Sequence, residues 1–259
     1  MRLAALGIFL AGCLFSSGWV RAETITIATG EFPPWTTEKE KHGGFVNRVV
    51  AEAFARAGIR VNFVYLPWKR VEAETRLGRY AASSFWFTGP EADFLASDPI
   101  SSHRELFFHL RERPLPKWQT LADLRGLNFG ATLGYTYTRE FWKMARTGKI
   151  KVEVASHDEL NFKKVLAGRI DAFPMEEVSG WMLLSNPEVF PPGTRKLFVT
   201  DQRPLRLTEG HLRFPRRLAG SAALAARFNA GLAGMRKDGT YDRYLQDLAK
   251  QANPWPGSP

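Results

Sequence analysis

Cysteine is almost absent: Cys13 is the single one in 259 residues. It lies in the N-terminal apolar stretch, so a chain cut behind that stretch holds no disulfide and no Cys-ligated metal. Long hydrophobic runs are missing as well. Leu3 to Phe15 is too short to span a bilayer, and nothing later approaches the ~18 apolar residues a transmembrane helix needs. Histidine is sparse and dispersed. His42, His103, His109, His157 and His211 show no HExxH or comparable metal-ligand spacing. No nucleophile–base set stands out, and no repeat or low-complexity segment is present. These gaps point away from metal chemistry and from covalent catalysis, and the expectation is a protein that is not an enzyme and needs no cofactor.

The first 22 residues differ from the rest. Arg2 supplies a positive start, Leu3 to Phe15 an apolar core, and Ser16 to Ala22 a small, polar end. This reads as a secretory signal peptide over 1–22, with Val20-Arg21-Ala22 as its cleavage site. A second reading stays open. Leu10-Ala11-Gly12-Cys13 resembles a bacterial lipobox, in which Cys13 would carry the lipid. Either route exports the chain, so a periplasmic location is expected. The full chain carries a net charge of +10, and Arg2 with Arg21, unopposed by acids in that segment, leaves +8 behind the cleavage site. Basic residues are scattered, so no nucleic-acid partner is expected. Arg213, Arg216 and Arg217 form the densest group and read as a solvated face.

With 44% hydrophobic residues the chain can bury one large core or two smaller ones. The stretch around which it is organised follows the run Thr24 to Thr29, whose alternation of Thr with apolar residues predicts a strand. Gly30 ends that strand, and Pro33 and Pro34 stiffen the loop Glu31-Phe32-Pro33-Pro34-Trp35. Phe32 and Trp35 are therefore either a flat platform for a ligand beyond a strand end or a loop packed onto its own core. Apolar spacing then predicts a helix from Phe45 to Ala57, a strand from Arg60 to Leu66 and a helix from Trp68 to Leu77. A strand from Ala81 to Phe87 completes a β-α-β-α-β series of parallel-sheet type. Glu105 to Arg111 reads as an extended crossing closed by Pro114 and Pro116, a site suited to a domain boundary. A second α/β series begins at Trp118. A strand at Lys196 to Thr200 leads back, His211 to Phe214 forms another, and helices over 219–237 and 241–251 finish the chain.

Two α/β lobes joined by two hinge crossings form the architecture of a ligand clamp. The expected division is 23–110 with 201–259 for the first lobe and 111–200 for the second. The chain resembles the family 3 extracellular solute-binding proteins, the amino-acid-binding type of ABC uptake systems. The matching segments are Ile27 to Trp35, Gly44-Phe45, Trp68 before a helix ended by Gly78, and Phe85 to Pro99. The second lobe adds Leu121 to Gly126, Gly130, Gly134 and Gly168-Arg169-Ile170-Asp171-Ala172. Phe228-Asn229 and Lys237 to Tyr241 match the last helices, so coverage extends over nearly all of the chain behind residue 22.

That resemblance implies a periplasmic-binding-protein-like fold and a set of ligand-binding positions. Phe32 or Trp35 is the stacking aromatic, and Trp86, Phe87 and Thr88 are the strand-end residues. Gly134-Tyr135-Thr136-Tyr137 is the anion-binding turn, with Thr136 alternatively a plain helix N-cap. Glu176 falls where the family pairs an acid with the ligand's ammonium, a solvent-facing charge being the other reading. One position departs. The family's arginine for the α-carboxylate lies four residues after Thr88, and Ala92 stands there. Arg70 is a candidate replacement, with an ordinary surface arginine as the alternative, and Glu31 offers a further acceptor. Glu31, Glu91 and Glu176 together hint at an amine-bearing ligand. The resulting expectation is a monomer that captures a small polar solute, amino-acid-like or amine-bearing, for an inner-membrane ABC permease. The alternatives are an exported cyclohexadienyl dehydratase-like enzyme, with Glu176 as its acid, and an orphan sensor protein that presents ligand to a receptor.

Overall fold

The structure is a computed structural model that describes residues 23–87 and 92–251. The expected signal peptide with Cys13, and the positions Thr88 and Glu91, lie outside the described residues. Strand β1 (Glu23–Thr29) is followed by helix α1 (Gly44–Arg56), β2 (Ile59–Tyr65), α2 (Trp68–Arg76) and β3 (Ala82–Trp86). β1 pairs in parallel with β2 along its whole length and with β3 at its C-terminal end. The start of α1 is set by the proline loop. Pro34 and Trp35 offer their carbonyls to the Phe45 and Val46 N–H groups at 3.0 and 2.8 Å, replacing a side-chain cap. Gly44 makes this possible, because a Cβ there would sit 2.7 Å from the Trp35 carbonyl and its φ is +86°.

Short β4 (Phe94–Ala96) leads into the long β5 (Ser101–Leu110). The second lobe then runs β6 (Asn128–Thr132), α3 (Arg139–Arg146), β7 (Lys151–Ala155), α4 (Asp158–Leu166), β8 (Phe173–Glu176) and α5 (Glu177–Ser185). The return follows through α6 (Thr194–Leu197), β9 (Phe198–Thr200) and β10 (Arg206–Pro215), and α7 (Ser221–Lys237) and α8 (Thr240–Gln251) close the chain. One curled sheet runs in the order β2-β1-β3-β10-β5-β8, while β6 and β7 form a separate parallel pair. β5 and β10 are the crossings. They pair with each other from Arg206–Glu105 to Gly210–Ser101. Beyond that shared stretch β10 continues against β3 and β4, and β5 continues against β8 and β9.

Both crossings start earlier than apolar patterning predicts. Arg206 to Gly210 has no apolar alternation, so its strand character comes from pairing with β5 and not from its own sequence. The return to the first lobe also opens with one helical turn, Thr194–Leu197, which takes the first two residues of the strand predicted over Lys196 to Thr200. Arg213 is buried, its guanidinium 4.6 Å from the Trp86 ring centroid, rather than part of a solvated basic face.

Helix α7 packs on α1 through Phe54 and Phe228, whose ring centroids are 5.3 Å apart. Gly231 lets the helices approach: a Cβ there would lie 2.0 Å from the Ala53 carbonyl oxygen. Gly231→Ala therefore has to push backbone aside, and a loss of ~1–3 kcal/mol is expected from urea denaturation. Gly234→Ala is the control. Its Cβ meets only the end of the long Arg56 side chain, at 3.3 Å, and no backbone. It is expected to leave stability unchanged or raise it by up to ~1 kcal/mol through helix propensity.

Candidate functional site

The ends of β1 and β3 face the end of β8 and the turn at 134–136 across a narrow cleft. They enclose a cavity of about 80 Å³. Phe32, Phe85, Trp86 and Phe87 wall it from the first lobe, and Trp68 closes that side, its indole N–H donating to the Glu31 carbonyl at 3.2 Å. Tyr135, Thr136, Met175 and Glu176 wall it from the second lobe, and the crossings contribute His103, Glu105, Arg206 and Thr208. The lobes touch through rings: Phe32 stands edge-on to Tyr135, with centroids 5.6 Å apart at 81°. Tyr135 is in turn fixed by its hydroxyl, which donates to Asp158 at 2.8 Å.

Two glutamates are cross-strand neighbours at the base of the cleft, Glu105 on β5 opposite Glu176 on β8. Both are buried. Glu176 Oε2 accepts from the Trp35 indole N–H at 2.9 Å and from the Ser179 backbone N–H at 2.8 Å, the latter capping α5. Burial pushes its carboxyl up. The His103 ring, 3.5 Å from Oε1, together with these two donors outweighs burial and leaves the pKa below the ordinary carboxylate value. Glu105 has one counter-charge. Its Oε2 lies 2.9 Å from Arg206 Nη2, at angles that do not make a hydrogen bond. Desolvation pushes its pKa up to about 7 against the pull of Arg206, and the charge of Glu176 adds to the rise. Arg206 Nη2 also donates to the Thr136 carbonyl at 2.9 Å, tying the return crossing to the second lobe. Thr208 Oγ1 donates to the Phe87 carbonyl.

The predicted site residues divide into groups. Phe32, Trp86, Phe87, Tyr135, Thr136 and Glu176 line the cavity. Trp35 stands behind them, buried at 4% exposure with its ring edge-on to His103 at 4.4 Å, so it orients the site from the core. Tyr137 belongs to the core of the second lobe, where its hydroxyl oxygen accepts from the Thr132 N–H at 2.8 Å. Arg70 points outward on α2, its side chain 61% exposed and paired with Glu74 at 2.9 Å. It does not replace the arginine absent at Ala92. Glu31 is exposed and accepts from the Glu38 N–H, away from the cavity. Thr136 is no N-cap, since Thr138 takes that role for α3 by accepting from the Phe141 N–H. Sequence reasoning missed His103, Glu105 and Arg206, and read Trp68 as packing on the lobe core rather than as part of the cavity wall. For the first two a weak signal exists: His and Glu two apart share one face of a strand that runs on into the apolar Leu106-Phe107-Phe108, and burial there demands partners. Arg206 carries no local signal.

The Glu105 proton makes stability depend on pH in a defined direction. Its folded pKa of about 7 lies above the unfolded 4.5, so the folded state binds the extra proton. The contribution is fully present below the unfolded value and falls away as pH rises toward about 7. Glu105→Gln removes this term. Thermal melts from pH 5 to 8 are expected to show the native chain losing stability relative to Glu105→Gln across that window, with a constant difference above it.

The pattern of the bacterial extracellular solute-binding proteins, family 3, matches residues 25–249. No curated protein matches the chain. Among solved structures, a histidine kinase sensor domain with similarity to periplasmic binding proteins superposes with a TM-score of 0.71 at 20% identity, covering 88% of this chain and 96% of its own. An ancestral arginine-binding protein bound to arginine gives 0.71 at 20% identity, with 87% and 97% covered. AncCDT-1, an ancestral amino acid-binding protein and precursor of cyclohexadienyl dehydratase, gives 0.66 at 19%, with 87% and 94% covered. At these identities the likeness carries the fold alone. The family pattern covers most of the sequence, and the chain belongs to the bacterial extracellular solute-binding proteins of family 3.

Proposed function

We propose that this protein captures a small polar solute, amino-acid-like or amine-bearing, between its two lobes in the periplasm and hands it to an inner-membrane ABC permease. The observation that carries this reading is the composition of the cavity wall. Aromatic rings come from both lobes, and Glu105 and Glu176 set carboxyl oxygens beside them with Arg206 against the first, a lining suited to a polar ligand that carries N–H groups. Capture follows from closure. The solute contacts Phe32, Trp86 and Phe87 first, the crossings flex, and Tyr135, Thr136 and Glu176 complete the enclosure. The solute shifts the open–closed equilibrium by its greater affinity for the closed form.

The likeness to a histidine kinase sensor domain favours a second destination for the same capture step, presentation of the solute to a membrane receptor. Turnover is not expected. Glu176 is already engaged by Trp35 and Ser179, and no prephenate or arogenate dehydration should appear in a spectrophotometric assay.

A thermal-shift screen of amino acids, amines and related metabolites tests the binding reading. A bound solute is expected to raise the melting temperature, because it binds the folded state alone. For a solute found in this way, Phe32→Ala is expected to weaken binding about tenfold by calorimetry, the loss of one aromatic wall. Trp35→Phe keeps the ring but removes the hydrogen bond to Glu176. Small-angle scattering without solute is expected to give a larger radius of gyration for that variant, as the closed form loses a contact between the lobes.

A further inference from the structure

Among the described residues, seven buried side-chain polar atoms have no hydrogen-bond partner, and three of them belong to the cavity wall: His103 Nδ1, Glu105 Oε2 and Arg206 Nε. Such atoms are costly to keep. Their grouping is specific. Glu105 and Arg206 are paired across the two crossings, Nη2 of that guanidinium lies 2.9 Å from Glu105 Oε2, and Oε2 and Nε are closed off from water in this arrangement, so a molecule that enters with the lobes parted can present one short edge to both. Once the Glu105 proton is displaced its carboxylate only accepts, and the guanidinium only donates, so the complementary edge has an N–H beside an acceptor.

Charge and shape narrow the class. Glu105 and Arg206 already oppose each other, and Glu176 is held by Trp35, Ser179 and the nearby His103 ring. A fully charged anion here would face both glutamates, and a fully charged cation would face Arg206, so a neutral edge meets least opposition. The walls are rings set close together, Phe32 against Phe87 at 5.7 Å and against Tyr135 at 5.6 Å, around about 80 Å³ of space. A flat molecule needs the least parting of such walls and offers a face to them.

We propose that the solute of this cleft is a small planar heterocycle whose edge sets an N–H donor beside a nitrogen or carbonyl-oxygen acceptor. The N–H donates to Glu105 Oε2, the acceptor takes the Arg206 Nε–H, and Phe32, Phe87 and Tyr135 cover the ring. This rests on the solute-capture reading and names the ligand class within it. Arg206 becomes the specificity-determining cation in place of the arginine missing at Ala92. It acts as a fork for a neutral acceptor and not as a carboxylate clamp.

The test uses the full chain and four groups of probes: 2-aminopyrimidine and cytosine, which carry the edge; pyrimidine, which lacks the donor; arginine and glycine; and tetramethylammonium. Melting temperature and calorimetric affinity are read for each. The expected result is a raised melting temperature with the first two and none with pyrimidine, since a site built to pair an N–H rejects the analogue without it. Arg206→Lys keeps the charge but loses the Nε–H fork, and Glu105→Gln offers a neutral amide in place of the carboxylate. Each is expected to weaken 2-aminopyrimidine binding at least about tenfold. Circular dichroism confirms that each variant is folded, and the comparison of probes on the native chain decides the matter if either is not. Pyrimidine binding as well as 2-aminopyrimidine overturns the proposal. So does stabilisation by arginine, glycine or tetramethylammonium with none by the heterocycles, although solute capture then stands. If none of the probes and no amine or amino acid of the wider screen binds, the capture reading fails with it.

Discussion

Two buried glutamates side by side dominate the physics of this molecule. Like charges directly opposite on neighbouring strands repel, and burial penalises each of them separately. The chain resolves the two in different ways. Glu176 is solvated by protein donors, an indole N–H from one lobe and a backbone N–H at a helix start from the other. Glu105 is left with an imperfect ion pair and an elevated proton affinity. The first solution makes a firm contact between lobes. The second leaves a carboxyl that takes up a proton as pH falls through about 7.

That difference explains why the site lies where the crossings meet. β5 and β10 are central strands of a single curled sheet; Glu105 is held by main-chain pairing on both sides, to Arg206 and to Glu176, and Arg206 by its pairing with Glu105. The aromatic walls belong to the lobes, on loops and strand ends. In the proposed capture, a polar base on the crossings between apolar walls from the two lobes lets closure and recognition be one event. The Arg206 contact with the Thr136 carbonyl couples them, since the residue that pairs with Glu105 also reaches the second lobe.

Local chemistry made much of the fold legible. The Thr-Ile alternation of β1, the apolar spacing of α1 and the Gly and Pro punctuation read correctly, because each depends on residues within a few positions. Phe32, Trp86 and Tyr135 were placed at the site by the rule that ligands lie beyond strand ends and by family resemblance. Trp35 takes the packed alternative of the proline loop, its ring buried against His103. From sequence nothing separates an indole that faces ligand from one whose N–H is spent on Glu176.

Arg70 and Arg206 mark the limit. Both are arginines near aromatic residues, and Arg70 lies closer in sequence to the predicted platform. Helical geometry turns Arg70 outward to Glu74, four residues on, an interaction visible in the sequence. Arg206 enters the cleft because β10 pairs with β5 about a hundred residues earlier, in a register that sets it opposite Glu105. The sequence by itself determined the two α/β series, the order of their elements and the family. The tertiary structure alone decided which charges face one another, because strand register across long separations is a property of the whole packed sheet and not of any local stretch.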